Sequence, residues 1–248
     1  MAVREIFENN KPRKDFEIST HISLKNKYVF VQISKAASSN VKSLIQAAEF
    51  HGTPWNVTNV NDKWYSPHIS PFQISDEFLG EIFEKGSDFK ITTFVRNPFS
   101  RLLSCYLHRI VAQPESPSNK VLKRLTGGRG GRDVTFNEFI EIICSQNSVD
   151  QEAHWRCQSD DLAVDHIKYD FIGKLENIDH DLGELLSLIY NKEIAHQLIK
   201  KVKLDMSPMK TNSSERLLEY YSDKSTVDCV LNRYEKDFLQ FNYSMQLN

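Results

Sequence analysis

The sequence predicts an α/β protein in which a mainly parallel sheet is flanked by helices. Three strand-like runs, KYVFVQI at residues 27–33, KITTFVR at 90–96 and YDFIG at 169–173, are each followed by a helical pattern. Strands separated by helices pair in parallel through right-handed crossovers, with helices on both faces. In such sheets a ligand binds at the carboxyl ends of the strands. The residues that directly follow each run are therefore the first candidates for a functional site.

Apolar residues recur at helical spacing after each of these runs. The second helix also has a start signal, because Asn97 suits an N-cap and Pro98 the first helical position. The predicted apolar helix faces are Val41, Leu44, Ile45 and Ala48; Leu102, Leu103, Tyr106 and Ile110; Phe136, Phe139, Ile140 and Ile143; Leu182, Leu185, Leu186 and Ile189; and Val227, Val230, Leu231, Tyr234 and Phe238.

The composition bounds the class of protein. With 248 residues, of which 40% are hydrophobic, the chain can bury one substantial core, so we expect a single domain over residues 1–248. A net charge of −2 gives no general case for nucleic acid or an anionic membrane as partner. No apolar run is long enough for a signal peptide or a membrane span, so we expect a cytoplasmic protein. The four cysteines are widely spaced, which predicts neither disulfides nor a metal site.

The first strand run ends in ISKAASSN at residues 33–40. A loop that enters a helix offers unpaired N–H groups to an anion, and Lys35 adds a full positive charge. An equally supported interpretation is that Ser38, Ser39 or Asn40 caps the helix while Lys35 is solvated. The loop is not a Walker A motif, because no glycine lies between Lys35 and Lys42, and the kinase signatures DFG and HRD are also missing from the sequence.

The second strand run leads into TFVRNPFSRLLSCY at residues 93–106. Arg96 follows the strand, and Ser100, Arg101 and Ser104 share one patch of the next helix. A guanidinium with hydroxyl groups suits a phosphate, because its fork binds paired oxygens. A salt bridge for Arg101 and a packing contact for Ser104 would explain the same residues without a ligand.

The two segments together resemble sulfotransferases that use 3′-phosphoadenosine 5′-phosphosulfate (PAPS), and are most similar to the carbohydrate O-sulfotransferase branch. ISKAASSN resembles the 5′-phosphosulfate loop, and FVRNPFSRLLSCY resembles the 3′-phosphate site. The similarity continues through HWRCQ at 154–158, YDFIGKLEN at 169–177 and YEKDFLQFNY at 234–243. The resemblance covers roughly residues 27–243. Many members of the family have an N-terminal membrane anchor. Because this sequence has no apolar run long enough for one, we expect a soluble, bacterial-like member without an anchor.

The resemblance implies a P-loop-like, three-layer fold that binds PAPS without a metal and transfers its sulfuryl group to a hydroxyl of a carbohydrate or another polar metabolite. The nucleotide-binding core is expected at about 27–112 and 165–190, and the acceptor side at 50–70 and 113–160. Ser34 and the Ala36–Ala37 pair depart from the family pattern, which often has proline, and glycine or cysteine, at these positions. The residues implied for the 5′-phosphosulfate are Lys35, Ala36, Ala37, Ser38, Ser39 and Asn40, and those for the 3′-phosphate are Arg96 and Ser104.

Two catalytic residues are predicted. Lys35 would stabilise charge on the departing phosphate oxygen. His68, in YSPHISP at 65–71, would be the general base, because similar sulfotransferases often carry a histidine in this loop. A surface or packing role is the alternative for His68. His154 competes for the role of base and is otherwise expected to line the acceptor pocket with Trp155 and Gln158. Glu176, which follows the third strand run, is a further residue that could face the cleft.

The segment 119–132 holds five basic residues and four of the nine glycines. It is predicted to be a flexible loop, either solvated or able to close over an anionic ligand. The expected partner is a hydroxyl-bearing small molecule or a saccharide, with no nucleic acid. Two other functions fit the sequence, a non-catalytic nucleotide-binding module and an atypical P-loop kinase.

Overall fold

A computed structural model describes residues 1–56, 59–62, 65–190, 192–201 and 211–247. The chain divides into two compact units, Met1–Val95 with Leu162–Pro208 and Arg96–Asp161 with Met209–Asn248. A single domain over the whole chain stays a prediction. Within the described ranges, no helix has both the length and the apolar character needed to span a membrane.

The first unit contains a four-stranded sheet of order β1-β2-β3-β4. Its strands are β1 (Thr20–Ser23), β2 (Tyr28–Val31), β3 (Lys90–Val95) and β4 (Phe171–Lys174). β2, β3 and β4 pair in parallel, and β1 is antiparallel to β2 at one edge. The predicted α/β class with a mainly parallel sheet is confirmed. The three predicted strands are present, with β4 displaced slightly towards the C-terminus, whereas β1 was not predicted.

The helices account for most of the remaining structure. In chain order they are α1 (Val3–Glu8), α2 (Arg13–Ser19), α3 (Ser38–Glu49), α4 (Asp76–Phe83), α5 (Pro98–Cys105), α6 (Pro117–Leu125), α7 (Phe136–Cys144), α8 (Gln158–Asp161), α9 (Ile178–Ile189), α10 (Lys192–Lys201), α11 (Leu217–Tyr220), α12 (Lys224–Arg233) and α13 (Glu235–Gln240). In the first unit, α3 and α9 bury their predicted apolar faces in one core with Tyr28, Phe30 and Phe94 of the sheet. This packing fixes where each strand end meets its helix.

The second unit is built around α5. Asn97 caps this helix by accepting hydrogen bonds from the backbone N–H groups of Phe99 and Ser100, at 3.0 and 3.4 Å, as predicted. The predicted apolar face continues past α5, but the backbone changes to a π-helix over Tyr106–Val111. Its wider turn shows in the bond from the N–H of Ala112 to the carbonyl of Leu107, at 3.1 Å. Such π-helical turns are frequent at functional sites.

The prediction of a flexible loop over residues 119–132 is wrong for its first half, which belongs to α6. Ser116 caps this helix, and Asn119 is fully buried. The Asn119 amide donates to the carbonyl of Pro114, at 2.6 Å, and accepts from the N–H of Gly131, at 3.0 Å. The glycine-rich half is therefore tied down to the start of α6 by buried hydrogen bonds. Four residues of the predicted 50–70 loop, 57, 58, 63 and 64, lie outside the described residues.

Candidate active site

The segment between β2 and α3 makes a tight turn into the helix. Lys35 and Ala37 have positive φ angles of 67° and 60°, in the left-handed region. α3 begins at Ser38, directly after Ala37, and Ala37 has no side chain that could cap the helix. Ser38, Ser39 and Asn40 are thus helical residues of the first turn, and none of them occupies the N-cap position as the alternative interpretation required. The first N–H groups of α3 carry the partial positive charge of a helix N-terminus.

Arg96 follows β3 and is surrounded by hydroxyl groups of the second unit. Its Nε donates to Ser100 Oγ at 2.9 Å, and its Nη2 donates to Ser213 Oγ at 2.7 Å. Ser104 Oγ accepts from the Thr211 hydroxyl at 3.3 Å. We call these five residues the Arg96 cluster. Thr211 and Ser213 were missed from the sequence, because they follow no strand and lie among the short polar side chains of TNSS at 211–214, which are typical of a loop.

Two residues predicted to line an acceptor pocket are instead fully buried. Trp155 donates its Nε1–H to Gln146 Oε1, at 3.0 Å, and packs edge-on against Phe139. The Gln158 amide bonds to both backbone groups of Arg96, accepting from its N–H at 2.9 Å and donating to its carbonyl at 2.8 Å. Both side chains have zero exposure, so this conformation offers neither of them to a substrate. Gln158 acts on the site indirectly, by fixing the backbone that presents Arg96.

The C-terminal part of the chain holds α8, and with it Gln158, in place. Asp237 of α13 accepts hydrogen bonds from the backbone N–H groups of Gln158 and Ser159, at 2.8 and 2.7 Å. Arg101 also stabilises the chain just before α8, because its guanidinium donates a hydrogen bond to the carbonyl of Arg156 at 2.8 Å. Arg101 is fully buried, and its observed partners include the carbonyls of Arg156 and Ala153. These contacts are structural supports for the Arg96 cluster.

His68 lies at the amino end of β2. Its Nε2 is 2.6 Å from the hydroxyl oxygen of Tyr28, the first residue of that strand, whereas Lys35 follows the strand's last residue, Val31. Burial lowers the pKa of His68 to about 4, against an opposing effect of Glu49. The His68 ring also lies 6.0 Å from the ring of His21, which pairs with Phe30 of the same strand. The assignment of His68 as the base stays a prediction.

His154 is held by a carboxylate. Glu152 accepts from the Nδ1–H of His154 at 2.8 Å and from its backbone N–H at 2.8 Å, while the Ser118 hydroxyl donates to the same carboxylate at 3.1 Å. Burial raises the pKa of Glu152, but His154 and the hydrogen bonds lower it more, so its pKa lies below the ordinary value. On the other side of the ring, Arg109 Nε donates to His154 Nε2 at 3.1 Å. This arrangement fixes both the ring and its tautomer.

Glu176 lies in a short turn, Leu175–Asn177, directly after β4. Its side chain is exposed. Since β2 and β4 both run parallel to β3, Glu176 and Lys35 follow carboxyl ends at the same edge of the sheet. Glu176 is therefore a titratable side chain that the first unit places on the same side of the sheet as Lys35.

Comparisons with known proteins find similarity to sulfotransferases. The model of the sulfotransferase family matches residues 19–244. Carbohydrate sulfotransferase 9 of Homo sapiens is 25% identical over 242 residues, covering 90% of this chain and 53% of the relative. Carbohydrate sulfotransferase 11 of Mus musculus is 22% identical over 236 residues, covering 88% and 64%, and carbohydrate sulfotransferase 8 of Homo sapiens is 23% identical over 234 residues, covering 89% and 54%. The chain thus spans between half and two thirds of the length of these relatives. No solved structure gives a significant match.

Proposed function

The chain belongs to the sulfotransferase family, and we propose that it transfers the sulfuryl group of PAPS to a hydroxyl group of a carbohydrate. The observation that carries the proposal is the Arg96 cluster. A guanidinium surrounded by short hydroxyl side chains suits a phosphate group, because all of these groups can donate hydrogen bonds to its oxygens. We assign the 3′-phosphate of the nucleotide to this cluster, with Arg96 and Ser104 as predicted and Thr211 and Ser213 as additions.

The turn after β2 is assigned to the 5′-phosphosulfate. Lys35, Ala36 and Ala37 form the turn, and the N–H groups of Ser38, Ser39 and Asn40 begin α3. Backbone N–H groups at a helix N-terminus bind anionic oxygens without help from a glycine-rich loop. The small side chain of Ala37 suits a left-handed residue at which a ligand approaches the backbone closely.

PAPS, when bound, supplies the sulfuryl group, and the chain's own residues hold the reacting groups in place. The Lys35 ammonium would stabilise negative charge on the departing phosphate oxygen. The acceptor hydroxyl needs a base within hydrogen-bond reach. His68 stays a prediction for this role, and Glu176 competes with it because Glu176 lies at the same sheet edge as Lys35.

The decisive experiment measures transfer of radiolabelled sulfate from PAPS to a panel of saccharides. We expect transfer by the wild-type protein, its loss in Lys35→Ala, and its retention in Lys85→Ala, a matched change of an exposed lysine. Replacing the true base, in either His68→Gln or Glu176→Gln, should lower kcat by about 10²–10⁴-fold and leave nucleotide affinity unchanged. A wild-type protein that binds the nucleotide yet modifies no hydroxyl would be a binding module instead.

A thermal-shift titration tests the nucleotide itself. The product 3′-phosphoadenosine 5′-phosphate should stabilise the protein by about 2.7 kcal/mol at a hundred times its Kd. Arg96→Gln should weaken this stabilisation strongly, because it removes the charge from the Arg96 cluster. Stabilisation by ATP with Mg²⁺, and none by the 3′-phosphorylated nucleotide, would favour a kinase and refute the proposal.

A further inference from the structure

A lysine is buried in the second turn of α3. Lys42 is only 6% exposed, and its Nζ donates a hydrogen bond to Asn61 Oδ1 at 2.6 Å. One turn further along the helix, the buried Gln46 donates from Nε2 to the carbonyl of Val60 at 3.2 Å. Residues four apart lie on the same face of a helix. Two side chains from one face of α3 therefore hold the segment 59–62, which we call the strap.

The strap has a turn of its own that presents Asn61 to α3. The backbone N–H of Asn61 donates to Asn59 Oδ1 at 3.0 Å, and the backbone N–H of Asp62 donates to the carbonyl of Asn59 at 3.1 Å. An asparagine side chain that bonds the backbone two residues on forms an Asx turn. The strap thus makes its own turn, while α3 fixes where that turn lies.

The charge of Lys42 indicates a role in fixing position. An ammonium group withdrawn from water is destabilising unless it is hydrogen-bonded, and a buried charged group is a weak source of stability. Apolar side chains would hold a segment to a helix without that cost. A hydrogen bond from an ammonium is, however, strong and directional. Lys42 therefore suits the task of holding the Asn61 side chain in one place better than the task of stabilising the fold.

The strap lies close to the turn that we assign to the 5′-phosphosulfate. α3 begins at Ser38, directly after that turn. Since a helix rises about 1.5 Å per residue, Lys42 lies about 6 Å along the axis from Ser38 and Gln46 about 12 Å. The strap runs towards the start of α3, because Val60 meets the later of the two helix residues and Asn61 meets the earlier one. It therefore approaches the 5′-phosphosulfate turn, and it belongs to the predicted acceptor side at 50–70.

We propose that Lys42 is a positioning residue, which holds the strap beside the 5′-phosphosulfate turn so that the strap forms one wall of the acceptor's path to the sulfuryl group. Lys42 acts through Asn61 and does not touch the acceptor. Loss of the ammonium frees Asn61 and lets the wall move, so the acceptor hydroxyl is aligned with the reacting group less often. This inference rests on the proposed function, since it concerns the acceptor of the same reaction.

The test compares two variants that remove the same contact from opposite sides. Lys42→Met keeps most of the length of the side chain and removes its ammonium, and Asn61→Ala removes the acceptor atom. The assay uses radiolabelled PAPS and the saccharide that the wild-type protein modifies fastest. Each variant should lower kcat/KM for the saccharide about tenfold and leave the Kd of 3′-phosphoadenosine 5′-phosphate unchanged. The double variant should be no worse than either single variant, and Lys42→Arg should restore part of the activity.

Hydrogen exchange, measured by mass spectrometry, reports on the strap without catalysis. Peptides that cover residues 59–62 should exchange faster in Lys42→Met and in Asn61→Ala than in the wild type. Lys85→Met and Asn232→Ala, matched changes of exposed residues, should leave both the exchange and the kinetics as in the wild type. Asn61 is exposed, so Asn61→Ala keeps the test available if Lys42→Met fails to fold.

Three results would overturn the proposal. The first is unchanged exchange of the strap in Lys42→Met, and the second is a double variant whose loss of kcat/KM is the product of the two single losses. The third is weaker nucleotide binding in Lys42→Met but not in Asn61→Ala, because Lys42 would then contact the nucleotide itself.

Failure of this inference can be told apart from failure of the proposed function. Transfer by the wild type with an unchanged kcat/KM in Lys42→Met and Asn61→Ala would refute the positioning role alone and leave the sulfotransferase activity established. No transfer by the wild type to any saccharide would refute the proposed function and the positioning role with it.

Discussion

Replacing His68 by glutamine should make the protein less sensitive to acid. Burial lowers the pKa of His68 to about 4 from its ordinary value of 6.5. The structural reason is that Nε2 contacts the Tyr28 hydroxyl, while Nδ1 is buried with no hydrogen-bond partner in the part of the chain that the structure describes. A protonated ring would bury an N–H group without an acceptor. The unfolded chain therefore binds this proton more readily than the folded one.

The sign and size of the effect follow from that difference. Stability is full above pH 6.5 and falls as the pH drops towards about 4, because the unfolded state takes up the proton first. The shift corresponds to about 3 kcal/mol in total, most of which is lost by about pH 4.5. Glutamine can keep a hydrogen bond to Tyr28 but does not titrate. Between about pH 7.5 and about pH 4.5, the variant should lose about 2–3 kcal/mol less of its free energy of unfolding than wild type.

Urea unfolding at these two pH values measures the free energy of unfolding of each protein. The matched control is His51→Gln, a change of an exposed histidine, which should follow the wild-type pH dependence. If His68→Gln loses as much stability on acidification as wild type, the buried neutral histidine is not the source of acid sensitivity and the reasoning is refuted.

Three further changes have direct structural readouts. Gly173→Ala should lower the free energy of unfolding, measured by urea denaturation, by about 1–3 kcal/mol, because a Cβ would lie 2.5 Å from the ring of Phe94. An unchanged free energy of unfolding would mean that the ring can move aside. Gln158→Leu should lower the free energy of unfolding by about 2 kcal/mol or more, because the backbone N–H and carbonyl of Arg96 both lose a buried partner. The variant should also bind the nucleotide more weakly in the thermal-shift titration. Full nucleotide affinity would contradict the supporting role of Gln158. Burial raises the pKa of the Cys157 thiol to about 12, so mass spectrometry should find it unlabelled by iodoacetamide in the native protein at about pH 8 and labelled after unfolding; rapid native labelling would contradict this.

Local signals in the sequence predicted the elements that depend on local chemistry. Asn97 and Pro98 define the start of α5, and the β-branched run before them forms β3 as expected. The turn at Lys35 was also located correctly, because a strand pattern passes into a helix pattern there. What the sequence did not reveal was the left-handed backbone at Ala37, which is rare for a residue other than glycine.

The missed features depend on contacts between distant parts of the chain. Ser213 reaches the Arg96 guanidinium across 117 residues of sequence, and no periodicity records such a contact. β1 was missed because THIS alternates weakly and is stabilised by pairing with β2. Trp155 and Gln158 were predicted to line the acceptor pocket with His154, in the HWRCQ segment that resembles the family, yet aromatic and amide side chains serve equally well in a buried core.

The contact between Asp237 and the start of α8 has a consequence for biosynthesis. Gln158 meets its carboxylate partner only 79 residues later in the chain. When Gln158 emerges from the ribosome, α13 with Asp237 has not yet emerged. The sheet of the first unit is likewise incomplete until β4 has been synthesised. Neither unit is a continuous stretch of chain, so nascent protein exposes apolar surface until the later segment of each unit has emerged. Chaperone binding to stalled chains should therefore persist until Asp237 has left the exit tunnel.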